Sequence, residues 1–138
     1  MSTDELRQLL VRLDKSPCPE EGEPVTKLLR LAVGLNSWKY PCVGRIECGY
    51  PVQDANYVGE IELLVSSARG VHTVLVRASA WGDLVTFVDP DKAITPSREK
   101  GLRTIFEEQG YIYVPRKLLQ ECYPGEEPET WFERFFDW

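Results

Sequence analysis

The chain has 138 residues, of which 43% are hydrophobic and 28% charged, and its net charge is −6. This length predicts a single domain over residues 1–138 with a hydrophobic core, and the negative charge disfavours direct binding to nucleic acid or to an anionic membrane surface. The sequence shows no export signal and no apolar run of membrane-spanning length, so we expect a cytoplasmic protein.

Two amphipathic helices are predicted in the N-terminal part. The first begins with a capping box at Ser2, carries leucines at helical spacing and ends near Lys15. The second begins at Pro24 and ends at Gly34, because proline suits a first helical turn and glycine suits a helix end. Its predicted apolar stripe consists of Val25, Leu28, Leu29 and Ala32. The acidic, proline-containing residues 16–24 between the two helices predict a solvated linker.

An antiparallel meander is predicted from residue 57 to residue 90. It contains three segments, 59–65, 71–81 and 84–89, whose side chains alternate between two faces as strands require. The connections between these segments are too short for parallel crossovers. Residues 41–52, which glycine and proline interrupt, predict one irregular strand or two short ones.

The remaining residues predict further helices and one more strand. Thr95-Pro96 begins a helix, residues 111–114 predict a short strand that returns to the sheet, and residues 115–122 predict one or two helical turns. A last helix begins at Pro128. The predicted fold class is α+β, with an antiparallel sheet of four or five strands and the N- and C-terminal helices packed on one face.

The chain ends in a segment that is rich in aromatic side chains. Five of its last eight residues are aromatic: Trp131, Phe132, Phe135, Phe136 and Trp138. Because each large aromatic side chain buries roughly 150–250 Å² when it packs, this segment must dock either on its own domain or on another protein. A helix of this length does not persist in water without such docking.

Residues with catalytic potential are few. His72 is the one histidine, so a Cys–His pair or a Ser–His–Asp set would have to include it. The candidate nucleophiles are Cys48, which lies in the irregular segment, and Ser97, which precedes Lys100 by one helical turn. The four cysteines lack metal-binding spacing and predict reduced thiols. No phosphate-binding or dinucleotide-binding motif is present, so we expect no cofactor and no metal.

These patterns favour a non-catalytic protein that binds another protein in a regulatory, inhibitory or assembly role. Aromatic side chains contribute much of the energy of protein interfaces, and the predicted contact residues are Trp38, Tyr40, Tyr50, Trp131, Phe135 and Trp138. Residues 1–24 and 121–138 are both acidic, with net charges of −3 and −5, which suits a partner with a basic surface. Self-association is the other possibility. Two alternatives remain: a domain that binds a small molecule among its aromatic side chains, and a hydrolase-like enzyme that uses Cys48 or Ser97 with His72.

Overall fold

A computed structural model describes residues 2–15, 23–36, 41–48, 57–121 and 129–136 of the chain. It shows an α+β arrangement in which helices pack on a mixed sheet. The helices are α1 (Thr3–Asp14), α2 (Glu23–Asn36), α3 (Pro96–Glu108), α4 (Arg116–Leu119) and α5 (Trp131–Phe136). The strands are β1 (Pro41–Cys48), β2 (Tyr57–Ser67), β3 (Gly70–Ser79), β4 (Leu84–Val88) and β5 (Ile112–Tyr113).

Local sequence signals determine where α1 and α3 begin. The Ser2 hydroxyl accepts a hydrogen bond from the backbone N–H of Glu5, and the Glu5 carboxylate accepts one from the N–H of Ser2, so the capping box is present. The Thr95 hydroxyl caps α3 by accepting from the backbone N–H of Arg98. Both contacts satisfy donors that a helix end would otherwise leave unpaired.

Helix α2 does not end at Gly34, which was the predicted stop, but continues to Asn36. Gly34 lies inside the helix and faces α3, where an added Cβ would come within 3.2 Å of Gln109 Nε2 and 3.4 Å of Ile105 Cγ2. The glycine therefore allows two helices to approach closely instead of ending one of them.

The sheet is antiparallel from β1 to β4, but its fifth strand is parallel. The strand order is β1-β2-β3-β4-β5, and β4 pairs with β5 so that Leu84 lies opposite Ile112 and Val85 opposite Tyr113. The prediction of a wholly antiparallel sheet is therefore wrong at this edge. The two strands are parallel because α3, which lies between them in sequence, carries the chain back to the end of the sheet where β4 begins.

Helices cover both faces of the sheet, so the prediction that the N- and C-terminal helices share one face holds in part: α1 and α5 share a face, whereas α2 and α3 lie on the other. The adjacent residues Leu84 and Val85 point to opposite faces. Val85 belongs to the core formed with α2 and α3, whereas Leu84 belongs to a second core formed with α1, α4 and α5. Leu84, Val85 and Thr86 are each fully buried, so β4 requires cover on both sides.

Candidate functional site

The C-terminal aromatic segment docks on the protein itself. Trp131 is 4% exposed and Phe135 is fully buried, in a cluster that includes Leu10 of α1. The Phe135 ring stacks on Trp131 with centroids 5.9 Å apart and meets Trp81 edge-on at 6.1 Å. The sequence left open whether this segment docks on its own domain or on another protein, and its described part docks on its own domain.

This docking affects the predicted contact residues. The side chains of Trp131 and Phe135 lie inside the protein, where a partner reaches them only if α5 leaves the core. Four other predicted contact residues, Trp38, Tyr40, Tyr50 and Trp138, lie outside the described residues, and their role stays a prediction.

A different apolar surface is exposed on α2. Leu29 is 46% exposed and Val33 is 74% exposed. They lie one helical turn apart and share the outer side of α2 with the exposed residues Thr26 and Arg30. We call these four residues the α2 ridge. The opposite side of the helix, which includes Leu28, Leu31 and Leu35, is fully buried.

This ridge was not predicted from the sequence, because the helical spacing of Leu29 placed it in the expected buried stripe. The composition of α2 does indicate exposed apolar side chains, since six of the eight residues from 28 to 35 are leucine, alanine or valine. One helix side cannot hold them all. Such an excess predicts that some apolar side chains remain on the solvent side.

Two basic residues of α2, Lys27 and Arg30, differ in their surroundings. The Lys27 ammonium donates to the backbone carbonyl of Gly110 at 2.7 Å, pairs with the Asp83 carboxylate at 2.8 Å and lies over the Tyr111 ring. Its charge is therefore used within the fold. Arg30, by contrast, is exposed on the ridge itself and gives this acidic protein a basic position next to two apolar side chains.

The single histidine lies in a polar array at the β2–β3 hairpin. Its Nε2 is 2.9 Å from Ser67 Oγ, and its Nδ1 is 3.4 Å from Asp91 Oδ2. Within the described part of the chain, His72 makes no hydrogen bond to Ser97, which lies exposed at the start of α3. The side chain of Cys48 is not among those that the structure describes. The structure thus brings His72 together with a serine that the sequence analysis did not select.

A groove between α1 and α4 is one described cleft that bears on the small-molecule alternative. Its lining includes Leu6, Leu118, Arg7 and Glu121. The Arg7 guanidinium donates to the Glu121 carboxylate at 2.7 Å, and this hydrogen bond lowers the pKa of Glu121. Arg7 and Glu121 therefore neutralise each other, and Lys117 is a further cation in the lining of the groove.

Two buried phenols have strongly perturbed acidity but face the core. Burial raises the pKa of Tyr111 above its usual range, and the negative charge of Asp83 adds to the effect. Burial also raises the pKa of Tyr113, whose hydroxyl donates to Glu99 at 2.9 Å. These groups stay protonated in the folded protein and contribute to structure.

Among the described residues, no group of three or more histidine, cysteine, aspartate or glutamate side chains is placed to hold a metal ion. None of the described helices combines the length and the apolar character that crossing a membrane requires.

Comparison of the chain with protein-family models, curated proteins and solved structures found no match.

Proposed function

We propose that this protein acts by binding another protein, in a regulatory, inhibitory or assembly role, and that the α2 ridge is a principal contact surface. The observation that carries the proposal is the exposure of Val33 and Leu29, two branched apolar side chains that share one side of a helix. Their burial in a complex would remove apolar surface from water.

The α2 ridge stands on a rigid support, which favours binding. The leucines on the inner side of α2 are fully buried, and Gly34 brings the helix against α3. A surface that is already ordered loses little conformational entropy when a partner docks, so more of the contact energy appears as affinity.

The chemistry of the ridge indicates what kind of partner surface fits it. Leu29 and Val33 need apolar side chains opposite them, and Arg30 between them favours a carboxylate at the edge of the contact. An amphipathic helix with an apolar stripe and an acidic flank meets both needs. The net charge of −6 still favours partners that are basic elsewhere on their surface.

The contribution of the ridge to affinity can be bounded. Full burial of a valine or leucine side chain is worth about 1.5–3 kcal/mol, and Leu29 is already half-buried in the free protein. We therefore expect the two side chains to supply about 2–3 kcal/mol together, which corresponds to a roughly 30- to 150-fold change in Kd.

The test is affinity capture from the native cell with the intact chain, Val33→Glu and the control Val71→Glu. Val71 is 66% exposed but lies on β3, away from the ridge. We expect a partner that binds the intact chain and the control but not Val33→Glu. Calorimetry with the purified partner then measures the change in Kd. Equal capture by all three chains contradicts the proposal.

Two further measurements complete this test. Trp38→Ala examines separately the aromatic contact residues predicted from the sequence. Analytical ultracentrifugation of the intact chain distinguishes a second copy from a different protein, because self-association through the ridge would be lost in Val33→Glu.

A further inference from the structure

The strongest unassigned feature is the polar array at the β2–β3 hairpin. Ser67 pairs with Gly70 and Val65 pairs with His72, so Ser67 and His72 are diagonal neighbours on the same face of an antiparallel ladder. The serine hydroxyl lies 2.9 Å from His72 Nε2, within hydrogen-bond reach. The other ring nitrogen faces Asp91 at 3.4 Å.

The order of atoms in this array has a specific chemical meaning. A carboxylate beside Nδ1 favours the imidazole tautomer that carries its proton on Nδ1, which leaves Nε2 free to accept a proton from the serine hydroxyl. The 3.4 Å separation of Asp91 from Nδ1 is longer than a good hydrogen bond. Such contacts are often long before substrate binds.

The loop that carries Asp91 is held by its own hydrogen bonds. The Asp89 carboxylate accepts from the backbone N–H groups of Ala93 at 2.9 Å and Ile94 at 2.8 Å. The Arg98 guanidinium then joins this loop to the hairpin, since it donates to the carbonyl of Ala93 and to the carbonyl of Ser66. Asp91 is therefore positioned by the fold and not only by its attraction to His72.

The array is also accessible. Ser67 is partly exposed, and the side chains of His72 and Asp91 are 15% and 59% exposed, so an electrophile can approach the serine from solvent. The backbone N–H of Arg69 already donates to Ser67 Oγ at 3.2 Å. This hydrogen bond helps to hold the serine oxygen in position.

We propose that Ser67, His72 and Asp91 form a nucleophilic site that reacts with activated carboxylic esters. Ser67 Oγ forms a bond to the ester carbonyl carbon while its proton moves to His72 Nε2. The carbon–alkoxide bond then breaks, and the leaving alcohol takes that proton. Water hydrolyses the acyl-serine, passing a proton through His72 back to Ser67, so an ester and water become an acid and an alcohol.

The competing explanation is a structural role for Ser67. A serine hydroxyl that accepts from the N–H two residues later is common in turns, and Ser67 Oγ also lies 3.4 Å from the Gly70 carbonyl, to which it can donate instead of to His72. A structural serine would not show reactivity that depends on His72. That dependence separates the two roles.

The experiment treats the intact chain with a fluorophosphonate probe and maps the modified residue by mass spectrometry. We expect labelling at Ser67, loss of that label in Ser67→Ala, and a roughly 100-fold slower reaction in His72→Gln. The matched control is Ser66→Ala, which changes the adjacent exposed serine on the other face of the strand. It should label like the intact chain.

Asp91 is tested as a positioning residue. Asp91→Asn should slow labelling, and Asp91→Glu should restore part of the rate because it retains the negative charge. Circular dichroism confirms that each variant is folded before its rate is compared. A folded intact chain that takes no label at Ser67, or labelling at an equal rate in folded His72→Gln, overturns the proposal and leaves Ser67 as a turn residue.

Discussion

Arg134 of α5 donates a hydrogen bond from Nε to the Asp14 carboxylate at the end of α1, with the two atoms 2.7 Å apart. The pair joins the two ends of the described chain, and both side chains are largely buried, at 25% and 18% exposure. It also compensates for an acidic residue at a helix C-terminus, where negative charge is unfavourable.

The first prediction concerns this pair. Asp14→Asn should lower the free energy of unfolding by about 1–2 kcal/mol, because it removes the negative charge of the acceptor and leaves a weaker hydrogen bond from the Arg134 cation to a neutral amide oxygen. Urea denaturation measures the change. The control Asp4→Asn alters an ion pair at the exposed start of α1 and should leave the denaturation midpoint almost unchanged. Equal losses in the two variants would contradict a special role for Asp14.

The second prediction concerns the aromatic core under α5. Phe135→Ala should destabilise the protein by about 3–5 kcal/mol, because it removes a fully buried ring that stacks on Trp131 and contacts Trp81. Thermal unfolding measures this loss, with the exposed Val33→Ala as the control.

Removal of residues 128–138 should unfold or aggregate the chain for the same reason. A folded, soluble truncation would show that α5 is not required by the core.

The third prediction concerns Arg77, which connects β3 to α5. Its guanidinium donates to the Glu60 carboxylate at 3.0 Å and to the Phe136 carbonyl at 3.2 Å, and it lies over the Tyr57 ring. Arg77→Gln should cost about 3–5 kcal/mol, because it leaves the charge of Glu60 in a largely buried place without this cation.

A double variant tests that reason for the Arg77 effect. Addition of Glu60→Gln to Arg77→Gln should recover part of the lost stability, since a neutral amide is less costly to bury than a carboxylate. Arg103→Gln, which breaks an exposed ion pair with Glu107 on α3, is the matched control and should cost less than about 1 kcal/mol. No recovery in the double variant would exclude the buried charge as the cause.

The fourth prediction is a loss of stability in alkali. Burial raises the pKa of Tyr113 and of Tyr111, so at high pH the unfolded chain releases phenol protons that the folded chain retains. The unfolded state then binds fewer protons, and the free energy of unfolding falls as pH rises above about 10, the ordinary pKa of tyrosine.

Tyr113→Phe identifies the contribution of one phenol to this pH dependence. It should reduce the slope by up to about 1.4 kcal/mol per pH unit, which corresponds to one proton. Urea denaturation at a series of alkaline pH values, carried out on the intact chain and the variant in parallel, measures the difference. Identical slopes would show that Tyr113 does not take part.

The sequence predicts part of the proposed nucleophilic site, namely the proximity of Ser67 and His72. The meander prediction places residues 67 and 72 beside the same turn, so their neighbourhood follows from the short connection between β2 and β3. The approach of Asp91 does not follow from it. That approach depends on how the Asp89 carboxylate shapes its loop, which is a matter of tertiary geometry.

The sequence by itself determined the elements whose signals are short-range: the caps at Ser2 and Thr95, the β2–β3–β4 order and the α+β class. These depend on contacts between residues close in the chain, so composition and spacing report them directly. Only the tertiary structure decided that β5 is parallel, that both sheet faces are covered and that Leu29 and Val33 remain exposed. The apolar excess of α2 indicates that some of its apolar side chains remain exposed, but which ones they are depends on the distant segments that pack against the helix.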